Sequence, residues 1–130
     1  MKQDTKKIDS RIIAVVDDDD SVRAALQSLL RSSGYKVLAF PSALAFLETD
    51  APVQSDCLVS DVQMPGMSGL ELHGQLATMG LHIPTIFITA YPDALPPLRP
   101  RSSAFIVYLP KPCEADTLLK HIETALREKC

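Results

Sequence analysis

Five apolar runs, Ile12–Val16, Tyr35–Phe40, Cys57–Ser60, Ile83–Ile88 and Phe105–Leu109, alternate along the chain with segments of helical periodicity. Runs this short, bounded by turn residues, read as buried strands, and their unbroken apolarity suits a parallel sheet covered on both faces. After the first run, Val22, Ala25, Leu26, Leu29 and Leu30 share one helical face. Asp20 or Ser21 can cap that helix, and Gly34 can supply the left-handed residue that ends it. Ser42 opens a short second helix carrying Leu44 and Leu47. Ser68 opens a third, with Leu70, Leu72, Leu76 and Met79 as candidates for burial and Gly80 at its close. The last helix begins after Pro112 and runs through Leu118, Leu119, Ile122, Ala125 and Leu126. Repeated strand–helix units of this length predict an α/β fold, a doubly wound five-stranded parallel sheet with helices on both faces.

One segment breaks the rhythm. The fourth helix would have to form from Tyr91–Arg101, which contains Pro92, Pro96, Pro97 and Pro100. A proline inside a helix removes a hydrogen bond and costs about 3 kcal/mol. The fourth helix is therefore expected to be short, distorted or absent.

Composition narrows the class. At 130 residues the chain fits one domain, with a polar, flexible N-terminus over 1–10 and a folded unit over 11–130. A net charge of −3 leaves no basic footprint, so this segment is not expected to bind nucleic acid itself. No apolar stretch is long enough to span a bilayer. The N-terminal residues lack the apolar core of a signal peptide, which makes cytoplasmic residence the expectation. Cys57, Cys113 and Cys130 fit neither a zinc site nor a redox pair.

The candidate chemistry lies where apolar runs end. Ile12–Val16 runs into Asp17-Asp18-Asp19-Asp20, and Cys57–Ser60 runs into Asp61 and then a turn rich in proline and glycine. In open α/β sheets, ligands bind outside the carboxyl ends of the strands. Two strand ends presenting carboxylates side by side make a hard-cation site suited to Mg2+. A single such aspartate would read as a solvated turn residue or a helix cap. Two sets, each closing an apolar run, favour a site.

The stretch Ser60-Asp61-Val62-Gln63-Met64-Pro65-Gly66-Met67-Ser68-Gly69-Leu70-Glu71-Leu72 resembles the receiver domains of two-component response regulators, of the FixJ type. So does Val15-Val16-Asp17-Asp18-Asp19-Asp20-Ser21-Val22-Arg23. The similarity extends from about Arg11 to Leu126. It implies a flavodoxin-like sheet of order 2-1-3-4-5, which periodicity cannot supply. It further implies that Asp61 is the phosphorylation site. Asp17, Asp18 and Asp61 would hold Mg2+, Asp18 directly and Asp17 partly through water, with the backbone carbonyl of Gln63 as a further ligand. Thr89 matches the switch hydroxyl and Tyr108 the switch aromatic. Lys111 matches the family's invariant lysine, and its bond to Pro112 resembles one that is cis there. Taken alone, Thr89 is a β-branched strand end, Lys111 a solvated lysine and Tyr108 an amphipathic core residue.

The resemblance implies a regulatory module whose only catalysis is its own phosphorylation and dephosphorylation. A sensor histidine kinase would supply the phosphoryl group. Output would control transcription through a fused or partner domain, and DNA would be reached only through a further C-terminal domain. The chain reads as a stand-alone regulator or as part of a longer transcription factor. The face made by the fourth helix, fifth strand and fifth helix would serve output or homodimerisation. Ala104, Phe105 and Cys113, like the proline-rich segment, depart from the family there. Phosphorylation is expected to draw in Thr89, turn Tyr108 inward and order Tyr91–Ser103. Two other readings compete. A Mg2+-dependent aspartyl-phosphate phosphohydrolase of the haloacid-dehalogenase kind would need a general acid two residues after its nucleophile, where Gln63 stands. A docking receiver that works without phosphorylation is favoured by the altered fourth helix, and the complete acidic and lysine set opposes it.

Overall fold

Each of the five apolar runs forms a strand in the computed structural model, which describes residues 11–91 and 106–129. They are β1 (Ile12–Val16), β2 (Lys36–Phe40), β3 (Cys57–Asp61), β4 (Thr85–Thr89) and β5 (Ile106–Pro110). All pairings are parallel and the order is β2-β1-β3-β4-β5, as the resemblance implies. The fourth strand starts later than the apolar run because Pro84 has no N–H to give the ladder. Pro84 serves as an acceptor instead, its carbonyl taking Leu58 N–H at 2.9 Å.

Alternating side chains along β1 sort the core into two halves. Ile13 and Val15 meet Leu30 of α1 (Asp20–Ser32) and Leu118, Ile122 and Ala125 of α5 (Ala115–Lys129). Ala14 and Val16 face the other layer, which comprises α2 (Ala43–Leu47), α3 (Ala51–Gln54) and α4 (Gly69–Thr78). Phe46, Ala51, Leu72 and Leu76 fill that side. With both faces covered, the strands can be apolar throughout, which is why periodicity of two is absent from them.

Several local expectations need correction. Asp19 caps α1, not Asp20 or Ser21: its extended backbone lets Oδ1 accept from Ser21 N at 2.8 Å and Val22 N at 3.1 Å. Ala25, on the apolar face expected for α1, is exposed, and so is Met79, which lies just past the end of α4. The four-residue α3, with a proline in its first turn, was not anticipated. Gly34 does take the left-handed conformation past α1, at φ 98°. Ser42 and Ser68 cap as expected, Ser68 in a capping box with Glu71. The expectations for residues 1–10, for the fourth helix with Pro96, Pro97 and Pro100, for Ala104 and Phe105, and for Cys130 lie outside the described residues.

Candidate functional site

Chain connections leave β1 and β3 in opposite directions, so a crevice opens at the carboxyl ends of these two central strands. Asp17 follows β1 directly, fixed by its N–H to the Phe40 carbonyl at 3.1 Å. Asp61 ends β3. One carboxylate oxygen from each of Asp17, Asp18 and Asp61 lies within 4.8 Å of the others. Asp17 and Asp61 are buried, at 2% and 6% exposure, whereas Asp18 is exposed. Lys111, just past β5, donates from Nζ to Asp61 Oδ2 at 3.1 Å. Its own N–H bonds the Thr89 carbonyl at 2.8 Å, extending the β4–β5 ladder by one residue and fixing the base of the lysine. The Lys111–Pro112 peptide is cis, as the resemblance implied.

The start of α4 constrains Asp61 from below. Gly69 N–H donates to the Val62 carbonyl at 2.8 Å, and Ser60 Oγ donates to the Asp61 carbonyl at 2.8 Å. A Cβ on Gly69 would collide with that Asp61 carbonyl oxygen. The glycine is required by close approach, not by its backbone angles. Gly69→Ala is expected to lower stability by about 1–3 kcal/mol through overpacking, read from the urea unfolding midpoint.

Electrostatics at the site are unbalanced. Burial pushes the Asp17 carboxyl above its ordinary value, and the carboxylates of Asp61 and Asp18 push the same way. The Asp19 amide, which donates to Asp17 Oδ1 at 2.8 Å, and the Lys111 ammonium offset this only in part. A carboxyl raised above 3.8 leaves the folded state holding more protons than the unfolded one as pH climbs past that value. Its contribution to stability is then fully present below the unfolded pKa and is lost as pH rises through the folded pKa. Asp17→Asn should therefore raise the thermal midpoint of the metal-free protein at neutral pH. An unchanged or lower midpoint would remove this carboxylate strain from the account.

The donor set is all oxygen and anionic, which suits a hard divalent cation such as Mg2+ that keeps several of its waters. Three carboxylate oxygens within 4.8 Å of one another, two of them on buried residues and with Lys111 donating to Asp61, form a cluster whose charge such a cation would offset. The residues present fit the ion.

Thr89 is fully buried at the end of β4, beside Asp61's neighbour in register, Ile88. Its hydroxyl donates to Gln63 Oε1 at 3.4 Å and accepts from Tyr91 N–H at 3.1 Å. The side chain of Gln63 thus engages Thr89, a contact the sequence did not announce. Tyr108 is half-buried one layer deeper, its ring centre 5.6 Å from that of Phe87, which also lies 6.0 Å from the His73 ring. The structure gathers Asp17, Asp18, Asp61 and Lys111 directly. Thr89 and Gln63 form an adjoining pair, and Tyr108 packs against the core on Phe87.

The family model for the response regulator receiver domain matches residues 13–123. The transcriptional regulatory protein FixJ of Azorhizobium caulinodans is 37% identical over 114 residues, covering 88% of this chain and 54% of that protein. The chain spans about half the length of the curated relatives it matches. The solved response regulator StyR shares 46% identity at a TM-score of 0.79, over 91% of this chain and 60% of that one. Response regulator protein TrrA from Thermotoga maritima, solved in complex with Mg2+ and BeF, shares 28% identity at a TM-score of 0.74, over 89% of this chain and 99% of that one. No helix among the described residues is long and apolar enough to cross a membrane. A family model that covers the sheet, the aspartate triad and most of the flanking helices settles the identity: the chain belongs to the FixJ-type response-regulator receivers, regulatory modules of two-component systems.

Proposed function

We propose that this domain is a phosphorylation-controlled switch in which Asp61 accepts a phosphoryl group from a phosphohistidine of a sensor histidine kinase. A carboxylate is a weak nucleophile, so transfer depends on positioning and on charge neutralisation around the phosphoryl oxygens. The observation that carries the reading is the pairing of Asp61 with Lys111 at 3.1 Å inside the three-carboxylate cluster. An Asp61 oxygen attacks phosphorus, the P–N bond breaks, and its electron pair returns to the imidazole. Lys111 holds a compact positive charge at the nucleophile. Thr89 turns its hydroxyl from Gln63 to a phosphoryl oxygen. Asp17, Asp18, Asp61 and the Gln63 backbone carbonyl would hold Mg2+, which when bound neutralises charge on the transferring group. Hydrolysis of the acyl phosphate resets the switch.

For output, we take the transcriptional role named for relatives such as FixJ as the model, exerted through a domain beyond the receiver. The phosphorylated state would act through Thr89, Tyr108 and the face around β5. The ordering of 91–103 belongs to this proposal, and apart from Tyr91 that segment lies outside the described residues. Gln63 argues against a phosphohydrolase acting on external substrates, since an amide cannot deliver the proton a leaving group needs. Incubation with acetyl phosphate and Mg2+ tests the reading: the intact mass should rise by one phosphoryl group, and a chelator should prevent it. No adduct at saturating Mg2+ would leave the domain as a docking module.

A further inference from the structure

The acidic run after β1 is held from behind by a residue the proposed chemistry does not use. Arg23, four residues past the cap of α1, folds back over the helix N-terminus with its side chain only 19% exposed. Nη1 donates to the backbone carbonyl of Asp17 at 2.8 Å, and Nη2 pairs with the carboxylate of Asp20. That carbonyl belongs to the peptide joining Asp17 to Asp18, so the guanidinium grips the main chain between two members of the carboxylate triad. Three of the four consecutive aspartates are therefore attached in different ways. Asp17 is tied by the Asp19 amide and by the β2 carbonyl at Phe40, Asp19 caps the helix, and Asp20 orients the arginine. Asp18 is exposed, and its placement within 4.8 Å of the others follows from the backbone that carries it.

We infer that Arg23 is a positioning residue for the divalent-cation site, acting through the Asp17–Asp18 peptide and not through its charge. The planar guanidinium reaches the carbonyl and the carboxylate from two fixed nitrogens, a geometry that the single nitrogen of an ammonium does not reproduce. The inference rests on the metal-site reading above. Its sign separates it from simple electrostatics. Removing a cation from an acidic region should strengthen binding of another cation, whereas loosening the ligand-bearing backbone should weaken it.

The test is calorimetric titration of Mg2+ into the purified chain, with wild type, Arg23→Ala, Arg23→Lys and Asp18→Ala compared. Loss of an outer partner of a metal site costs about 10- to 100-fold in affinity. Arg23→Ala should fall at the lower end, about tenfold weaker, and Arg23→Lys should also weaken despite its retained charge. Phosphorylation by acetyl phosphate should recover in both variants as Mg2+ is raised to saturation, because the nucleophile and Lys111 are untouched. Equal or tighter Mg2+ binding in Arg23→Ala would overturn the inference, as would a lowered unfolding midpoint with unchanged affinity. Should Arg23→Ala not fold, Arg23→Lys decides, and wild-type affinity in it overturns the inference. If wild type itself binds no Mg2+, the metal-site reading falls first and this inference with it.

Discussion

Asp61→Asn is expected to abolish phosphoryl uptake from acetyl phosphate while leaving the fold intact. Asparagine matches aspartate in shape, and its amide oxygen can still accept from Lys111 Nζ, which lies 3.1 Å from Oδ2. An amide is not a nucleophile toward phosphorus, so the reaction loses its acceptor and not its surroundings. The change also removes one of three crowded carboxylates, two of them buried, and no loss of stability should accompany it. Quantitative mass spectrometry of the intact protein reads the result. Labelling at the wild-type level would take Asp61 out of its role and move attention to Asp17 or Asp18.

The second large effect belongs to Asp18. Asp18→Ala removes an exposed side chain, and exposed substitutions usually shift stability by less than about 0.5 kcal/mol. Yet Asp18 supplies one of the three carboxylate oxygens that converge within 4.8 Å. Mg2+ affinity should drop by at least about tenfold, since even outer partners of a metal site cost that much. Phosphorylation should fall with it. Calorimetry and labelling on the same preparation would show whether the two losses travel together. Normal labelling with Mg2+ present would reduce the acidic run to a cap and a turn.

The strands were legible in the sequence because a parallel sheet buried on both faces favours continuous apolar runs, and Ile12–Val16 and Cys57-Leu58-Val59 are such runs. Their order was not. Nothing in periodicity says that β3 lies beside β1 rather than β2; the motif around Asp61 supplied it. The carboxylates were legible for the same reason, since each set closes a strand, whereas Lys111 took its role from the family resemblance. The division of labour among Asp17, Asp18, Asp19 and Asp20 was hidden, because four identical side chains differ only in the backbone angles and hydrogen bonds that the fold imposes. Nothing in the sequence sets Arg23 apart from other helix residues; its reach back to the Asp17 carbonyl does. The α3 turn at Ala51–Gln54 was too short and too proline-marked to stand out from a loop. Met79 was misjudged because Gly80 ends α4 before another turn could bring that side chain to the sheet.

The phosphoryl group is expected on Asp61 itself. Borohydride reduction of the phosphorylated wild-type protein converts an aspartyl phosphate into homoserine, a permanent mark that survives proteolysis. Cleavage at arginine and lysine separates the Asp17–Asp20 run, in the fragment 12–23, from Asp61, in the fragment 37–101. Sequencing those fragments by mass spectrometry should find homoserine at position 61 and aspartate at positions 17 to 20. Homoserine in the 12–23 fragment, or a phosphoryl group that borohydride does not touch, would contradict the account.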